Sequence, residues 1–121
     1  MVEQLFDMLS QATQRSLDVR MRRHVILSAN LANADTPGYI PIDMEFEDAL
    51  RAVADGKVGV AVPGTPVFYD PTATPGPDGN AVNLDHEMAK LSMNEMKYTA
   101  STKIMDKRLG LLRYAIMEGR S

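Results

Sequence analysis

The chain reads as a mainly α protein. Its long N- and C-terminal helices pair as an α-helical coiled-coil hairpin, and a short irregular middle rich in proline and glycine joins them. Three observations carry that reading. All seven prolines fall between Pro37 and Pro77, leaving the first 36 and the last 44 residues free of them. Proline in a helix interior costs ~3 kcal/mol, so the proline-free ends are where long helices belong. Apolar residues recur through both ends at steps of three, four or seven, the spacing of a helix face. The composition, 45% hydrophobic with a net charge of -3, is that of a folding chain. One domain is expected at this length, organised as residues 1–36, an irregular stretch 37–82, and residues 83–121.

The first helix is predicted from about Val2 to Asn33. Leu5, Leu9, Ala12, Val19 and Ile26 form one stripe, and Phe6, Leu17, Met21 and Val25 form another. Asn30 to Tyr39 ends it: asparagine tolerates the left-handed backbone that closes helices, and Pro37 drives Thr36 out of helical space. Pro37-Gly38 suits the two central positions of a type II turn.

In the middle, Asp43 to Ala54 is expected as a short amphipathic helix with Phe46, Ala49, Leu50 and Val53 inward and Gly56 ending it. Val58, Val60 and Val62 alternate as a short strand does, and Val67 to Tyr69 is a second short β candidate. Pro71 to Gly79 is a turn-rich loop.

The last helix keeps the steadiest register. Leu84, Met88, Leu91, Tyr98, Met105, Leu109, Leu112 and Ile116 follow a 3–4 step, interrupted by Glu95 and Thr102. Asn83 or Asp85 caps its start, Asp85 and Glu87 suit its positive end, and Gly119 closes it. Gly110 weakens it by ~1 kcal/mol, which suggests a close helix approach there. A second stripe runs through Met93, Met96, Ala100, Ile104, Leu111 and Ala115. A single hairpin partner covers one stripe only. The other is expected to face another subunit, unless the middle segment folds back over it.

Charge is unevenly placed: residues 34–83 hold eight acids against two bases, whereas both ends carry a small basic excess. The one dense basic cluster, Arg20-Met21-Arg22-Arg23-His24, has no interleaved aromatic residue. It reads as a solvated or salt-bridged helix face, with Asp18 and Arg22 paired at i,i+4, and not as a nucleic-acid site. No apolar run approaches the ~20 residues that span a bilayer, so no membrane insertion is expected. The N-terminus lacks the basic and apolar regions of a cleaved secretory signal. With no cysteine there are no disulfides or thiolate metal sites.

Chemistry-bearing motifs are sparse. His86-Glu87 opens like a zincin helix, but the position of the second histidine is Lys90. Asp78-Gly79-Asn80 is too brief for a calcium loop. Glu45 and Glu47 lie in a polar segment with nothing to desolvate them. No catalytic, cofactor or metal residues are therefore assigned, and no enzymatic activity is expected. The nine methionines, at core spacing on helices, suit a subunit that packs against several different neighbours.

Ala29, Asn30, Asn33, Thr36, Pro37, Gly38 and Tyr39 match, at the same spacing, the string Ala-Asn-x-x-Asn-x-x-Thr-Pro-Gly-Tyr. That string resembles the signature of bacterial flagellar axial proteins of the rod and hook. A second segment is similar to the proximal rod members of that family: Asp78-Gly79-Asn80, Val82, Leu84-Asp85, Glu87-Met88 and Leu91, then Asn94, Tyr98 and Leu112-Arg113-Tyr114-Ala115-Ile116. The likeness covers both ends well and the middle loosely.

The resemblance implies a structural, self-assembling subunit of the flagellar basal-body rod. In such a subunit the terminal helices pack with those of neighbours into a hollow driveshaft that transmits torque and leaves an export channel. It implies passage through the flagellar type III export apparatus without signal cleavage, and a place in the periplasmic space beside the MS ring. The implied partners are further copies, the rod proteins FlgC, FlgF and FlgG, and FliE. On this reading Asn30 and Asn33 bond at the helix end, Pro37-Gly38 sets the turn and Tyr39 anchors the segment after it. The two long-step stripes become the subunit-packing faces. Alternatives are another rod or hook-related subunit, or a soluble helical adaptor or export chaperone.

Overall fold

A computed structural model describes residues 1–55 and 67–119. The elements are α1 (Val2–Ala32), β1 (Ile42–Asp43), α2 (Phe46–Ala54), β2 (Phe68–Tyr69) and α3 (Leu84–Glu118). α1 and α3 lie against each other as an antiparallel hairpin, and α2 and the β1–β2 ribbon sit at the end where the middle segment joins them. The two strands pair antiparallel, Ile42 opposite Tyr69 and Asp43 opposite Phe68. The strand expected at Val58–Val62 and the helix stop at Gly56 lie outside the described residues.

α1 ends as the prolines require, though not by the route expected. Asn33 has φ -100° and ψ 17°, outside the left-handed region. It caps through its side chain instead, with Nδ2 donating to the Ala29 carbonyl at 2.8 Å and Oδ1 accepting from Thr36 Oγ1 at 3.0 Å. The left-handed residue is Gly38, φ 75°, and the Tyr39 amide donates back to the Thr36 carbonyl at 3.2 Å. This is the type II turn that Pro37-Gly38 specifies.

α2 starts at Phe46, three residues later than predicted, because Asp43 is drawn into β1 and Glu45 takes the cap, its carboxylate accepting from the Asp48 amide at 2.9 Å. Its inward residues are those expected. Ala49 is buried with Val19 and Ile26 of α1 and with Met44, while Ile42, Phe46, Leu50 and Val53 pack around them. α3 begins at its asparagine cap, Asn83 Oδ1 accepting from the His86 amide at 3.1 Å. Its other end closes at Gly119, as expected, with a right-handed backbone whose N–H donates to the Ala115 carbonyl at 3.1 Å. Among the described residues Gly110 has no neighbour within 4 Å of where a Cβ would stand, so no close approach of α1 explains it.

The 71–80 loop is tied down by its own backbone and by the turn after α1. Gly76 N–H donates to the Asn80 carbonyl at 2.8 Å, Gly38 N–H to Asp78 at 3.0 Å, and Ala81 N–H to Tyr39 at 2.9 Å. Gly79 is also left-handed, φ 80°, and a Cβ there would stand 3.3 Å from the Gly38 Cα. Two glycines therefore face each other where the two loops cross.

Candidate assembly interface

Toward α1, α3 presents two interleaved heptad series. Leu91, Tyr98, Met105 and Leu112 are half-buried. Four residues before each stands a polar one: Glu87, Asn94, Ser101 and Arg108, of which Glu87 and Asn94 are each 1% exposed. Three polar rungs cross the hairpin. Asn30 Nδ2 donates to Glu87 Oε2 at 3.0 Å, Asn94 Nδ2 to the Arg20 carbonyl at 2.8 Å, and Arg108 Nη1 to Thr13 Oγ1 at 2.6 Å. Polar residues at coiled-coil seam positions fix register at a cost in stability. The 3–4 apolar pattern passed over this series, yet its seven-residue spacing was present in the sequence.

Asn30 is the centre of the loop end. Fully buried, it uses every hydrogen-bonding position of its amide. Nδ2 donates to the Ile42 carbonyl at 2.7 Å and to Glu87, and Oδ1 accepts from Tyr39 Oη at 2.9 Å and Ile42 N–H at 3.1 Å. Asn80, from the loop, donates through Nδ2 to the carbonyls of Asn33 at 2.9 Å and Thr36 at 2.6 Å. The matched string thus converges on one latch that joins α1, the turn, β1 and α3. Pro37 and Gly38 are exposed on its rim and act through backbone shape alone.

Below the latch lies a buried ion network. Arg23 holds Asp43 with two bonds of 2.9 Å, Nε to Oδ1 and Nη2 to Oδ2. Lys90 Nζ stands 2.9 Å from Asp70, 3.5 Å from Glu87 and 3.7 Å from Asp43. Burial alone would raise the Asp70 carboxyl, but hydrogen bonds from Thr72 and Lys90 outweigh it and hold the group down at about 2. Burial likewise opposes the Lys90 charge, and bonding to Asp70 with the charge of Glu87 overcomes it, leaving the ammonium raised. Hydrogen bonding to Asp43 raises Arg23, and burial raises Tyr39.

The basic cluster is therefore largely spent inside the fold. Arg23 is paired, and the Arg20 guanidinium lies 4.0 Å above the Phe46 ring. The expected Asp18–Arg22 pair does not form: Asp18 accepts from Gln14 Nε2 at 3.0 Å, and no ion pair to Arg22 is present among the described residues.

The predicted packing stripe of α1 divides by position along the helix, whereas that of α3 alternates between exposed and half-buried residues. Val19 and Ile26 are buried, but against α2 and Met44 and not along the α3 seam. Leu5, Leu9 and Ala12, toward the open end of α1, are exposed, as are Leu84, Met88, Leu109 and Ile116 of α3. The second α3 stripe is bare throughout: Met93, Met96, Ala100, Ile104, Leu111 and Ala115 are all exposed, Met96 at 72% and Leu111 at 63%. Among the described residues, the middle segment packs at the loop end and does not cover this face. Helices of 31 and 35 residues thus meet along a seam carrying polar rungs, while the one small apolar core is built by α1 with α2 and Met44, and apolar ridges stay open along the rest.

Comparison with known proteins places these features. A family model described as flagella basal body rod protein matches residues 22–39, the segment holding Arg23, the Asn30 latch and the Pro37-Gly38 turn. The Salmonella typhimurium protein named flagellar basal body rod protein FlgB is 31% identical over 115 residues, covering 79% of this chain and 83% of its own. Proteins of the same name from Aeromonas hydrophila and Escherichia coli are 31% and 33% identical. They cover 89% and 73% of this chain, and 92% and 78% of their own lengths.

Proposed function

The chain belongs to the FlgB family of flagellar basal body rod proteins and is a structural subunit of that rod, and from this premise we propose that its bare helix faces build the rod wall. One observation carries the proposal. Ridges of Leu, Met and Ile run along both helices beyond the small core, at the periodicity with which helices pack on helices. Exposed apolar stretches of that extent mark interaction surfaces.

On this reading the Asn30 latch holds a stiff hairpin at a set register. Neighbouring copies and other rod subunits such as FlgC, FlgF and FlgG, with FliE near the MS ring, complete the burial. Helical symmetry makes those contacts heterologous, one face of a subunit meeting a different face of the next. The assembled helices form a hollow shaft in the periplasmic space that transmits torque and passes later subunits. The chain reaches it through the flagellar type III export apparatus. Its role is mechanical and requires no catalysis.

Circular dichroism and sedimentation over a dilution series test this reading. Helicity and mass that rise with concentration are expected, because the bare arms of the hairpin, beyond its packed loop end, bury too little alone to offset their own ordering. A monomer of full helicity at every concentration would count against it and favour a soluble adaptor.

A further inference from the structure

His86-Glu87 lacks the second helical histidine of a zincin, but the fold brings a third ligand from elsewhere. Asp70, at the end of β2, lies against the first turn of α3 beside a cleft of about 340 Å³ that Asp70, His86 and Glu87 help to line. One ligand atom from each of the three falls within 4.8 Å of the others.

Two features make this more than proximity. Among the described residues the buried network sets three carboxylates, Asp43, Asp70 and Glu87, against two cations, Arg23 and Lys90. Glu87 also holds its two partners unequally. Its Oε2 accepts from Asn30 at 3.0 Å, whereas its Oε1 has Lys90 Nζ at 3.5 Å, long beside the ~2.8 Å of a good charged hydrogen bond. A buried carboxylate oxygen held only by a long 3.5 Å contact to Lys90, next to an imidazole and a second ionised carboxylate, is surroundings suited to a cation.

We propose that Asp70, His86 and Glu87 form a site for one divalent transition-metal ion of the Zn²⁺ type, with its fourth position open to water in the cleft. The imidazole selects this class over calcium or magnesium, which take oxygen ligands. Three protein ligands plus water is a common zinc arrangement. Metal–ligand bonds of ~2.0–2.2 Å require the three atoms to close further. His86 is exposed on the helix surface and has room to turn inward. Lys90 is the competitor, since its ammonium already sits between Asp70 and Glu87. An arriving ion displaces it toward Asp43, 3.7 Å away. The bound ion ties the start of the 70–80 loop to the start of α3, stabilising the folded chain in proportion to its occupancy.

The test is calorimetric titration of Zn²⁺ into the full chain near neutral pH, with thermal denaturation alongside. One site per chain and a rise in melting temperature are expected. His86→Ala, at an exposed position, should weaken binding at least tenfold, while His24→Ala leaves it unchanged. Lys90→Met should tighten it about tenfold. No stoichiometric heat overturns the proposal. Equal losses in the two histidine variants, or weaker binding in Lys90→Met, also overturn it. Co²⁺ absorption supplies a readout that needs no variant: a tetrahedral d–d band in the wild-type chain is expected, and its absence rejects the site.

Discussion

Asn30 and Glu87, 57 positions apart in the chain, meet in the interior through a 3.0 Å hydrogen bond that joins the last turn of α1 to the first turn of α3. Each is at most 1% exposed, so the pair is a polar contact made where water cannot replace it. Buried polar groups left without partners cost ~1–3 kcal/mol each, which makes this contact a strong determinant of hairpin register.

Asn30→Ala removes four hydrogen bonds and strands Tyr39 Oη, the Ile42 amide and carbonyl, and one Glu87 oxygen. A loss of ~3 kcal/mol or more is expected in urea denaturation. Asn30→Asp should be at least as harmful, because it sets a second carboxylate against Glu87.

The two left-handed glycines should respond unequally to alanine. At Gly38 a Cβ meets open space, so Gly38→Ala costs only the backbone strain of ~1–2 kcal/mol. At Gly79 the same strain is joined by a 3.3 Å contact with the Gly38 Cα, which one of two packed loops must yield to relieve. Thermal melting should rank Gly79→Ala below Gly38→Ala, and the reverse order would show that the loops separate freely.

Asp70 gives the fold an acid-labile tie. Its carboxyl lies lower in the folded chain, at about 2, than the ordinary 3.8. Folding is therefore favoured by its ionisation above about pH 4, and that contribution disappears as pH falls through about 2. Denaturation midpoints measured in chelator should decline over this window, and less steeply in Asp70→Asn. The variant should also be less stable at pH 7, where Lys90 loses its 2.9 Å partner.

Substitutions on α3 should separate folding from assembly. Leu91 is half-buried against α1, so Leu91→Asp should lower both the stability of the isolated chain and swimming. Leu109 and Leu111 are exposed, and Leu109→Asp or Leu111→Asp should leave monomer stability within ~0.5 kcal/mol while abolishing rod assembly and motility. Normal swimming haloes with the latter two would remove these residues from the interface.

Asn94 should show the cost of holding register. Its Nδ2 bonds the Arg20 carbonyl, but Oδ1 is buried without a partner among the described residues. Asn94→Leu is expected to raise the thermal midpoint while broadening the choice of helix pairings, read as a wider spread of sedimentation coefficients than the wild-type chain shows at the same concentration.

The sequence by itself determined what is local. Proline exclusion set the extent of α1 and α3, Asn83 marked a cap, Pro37-Gly38 dictated a turn, and the inward face of α2 came from its 3–4 spacing. Each rests on interactions within a few residues, so spacing alone reveals it. Only the tertiary structure decided which stripe is covered. Val19 and Ile26 turned to α2, the α3 seam took a polar series led by Glu87 and Asn94, and Asp70 came to lie beside His86. Those outcomes depend on where distant segments stand against one another. Burial and charge pairing are properties of that juxtaposition, and no local period encodes them.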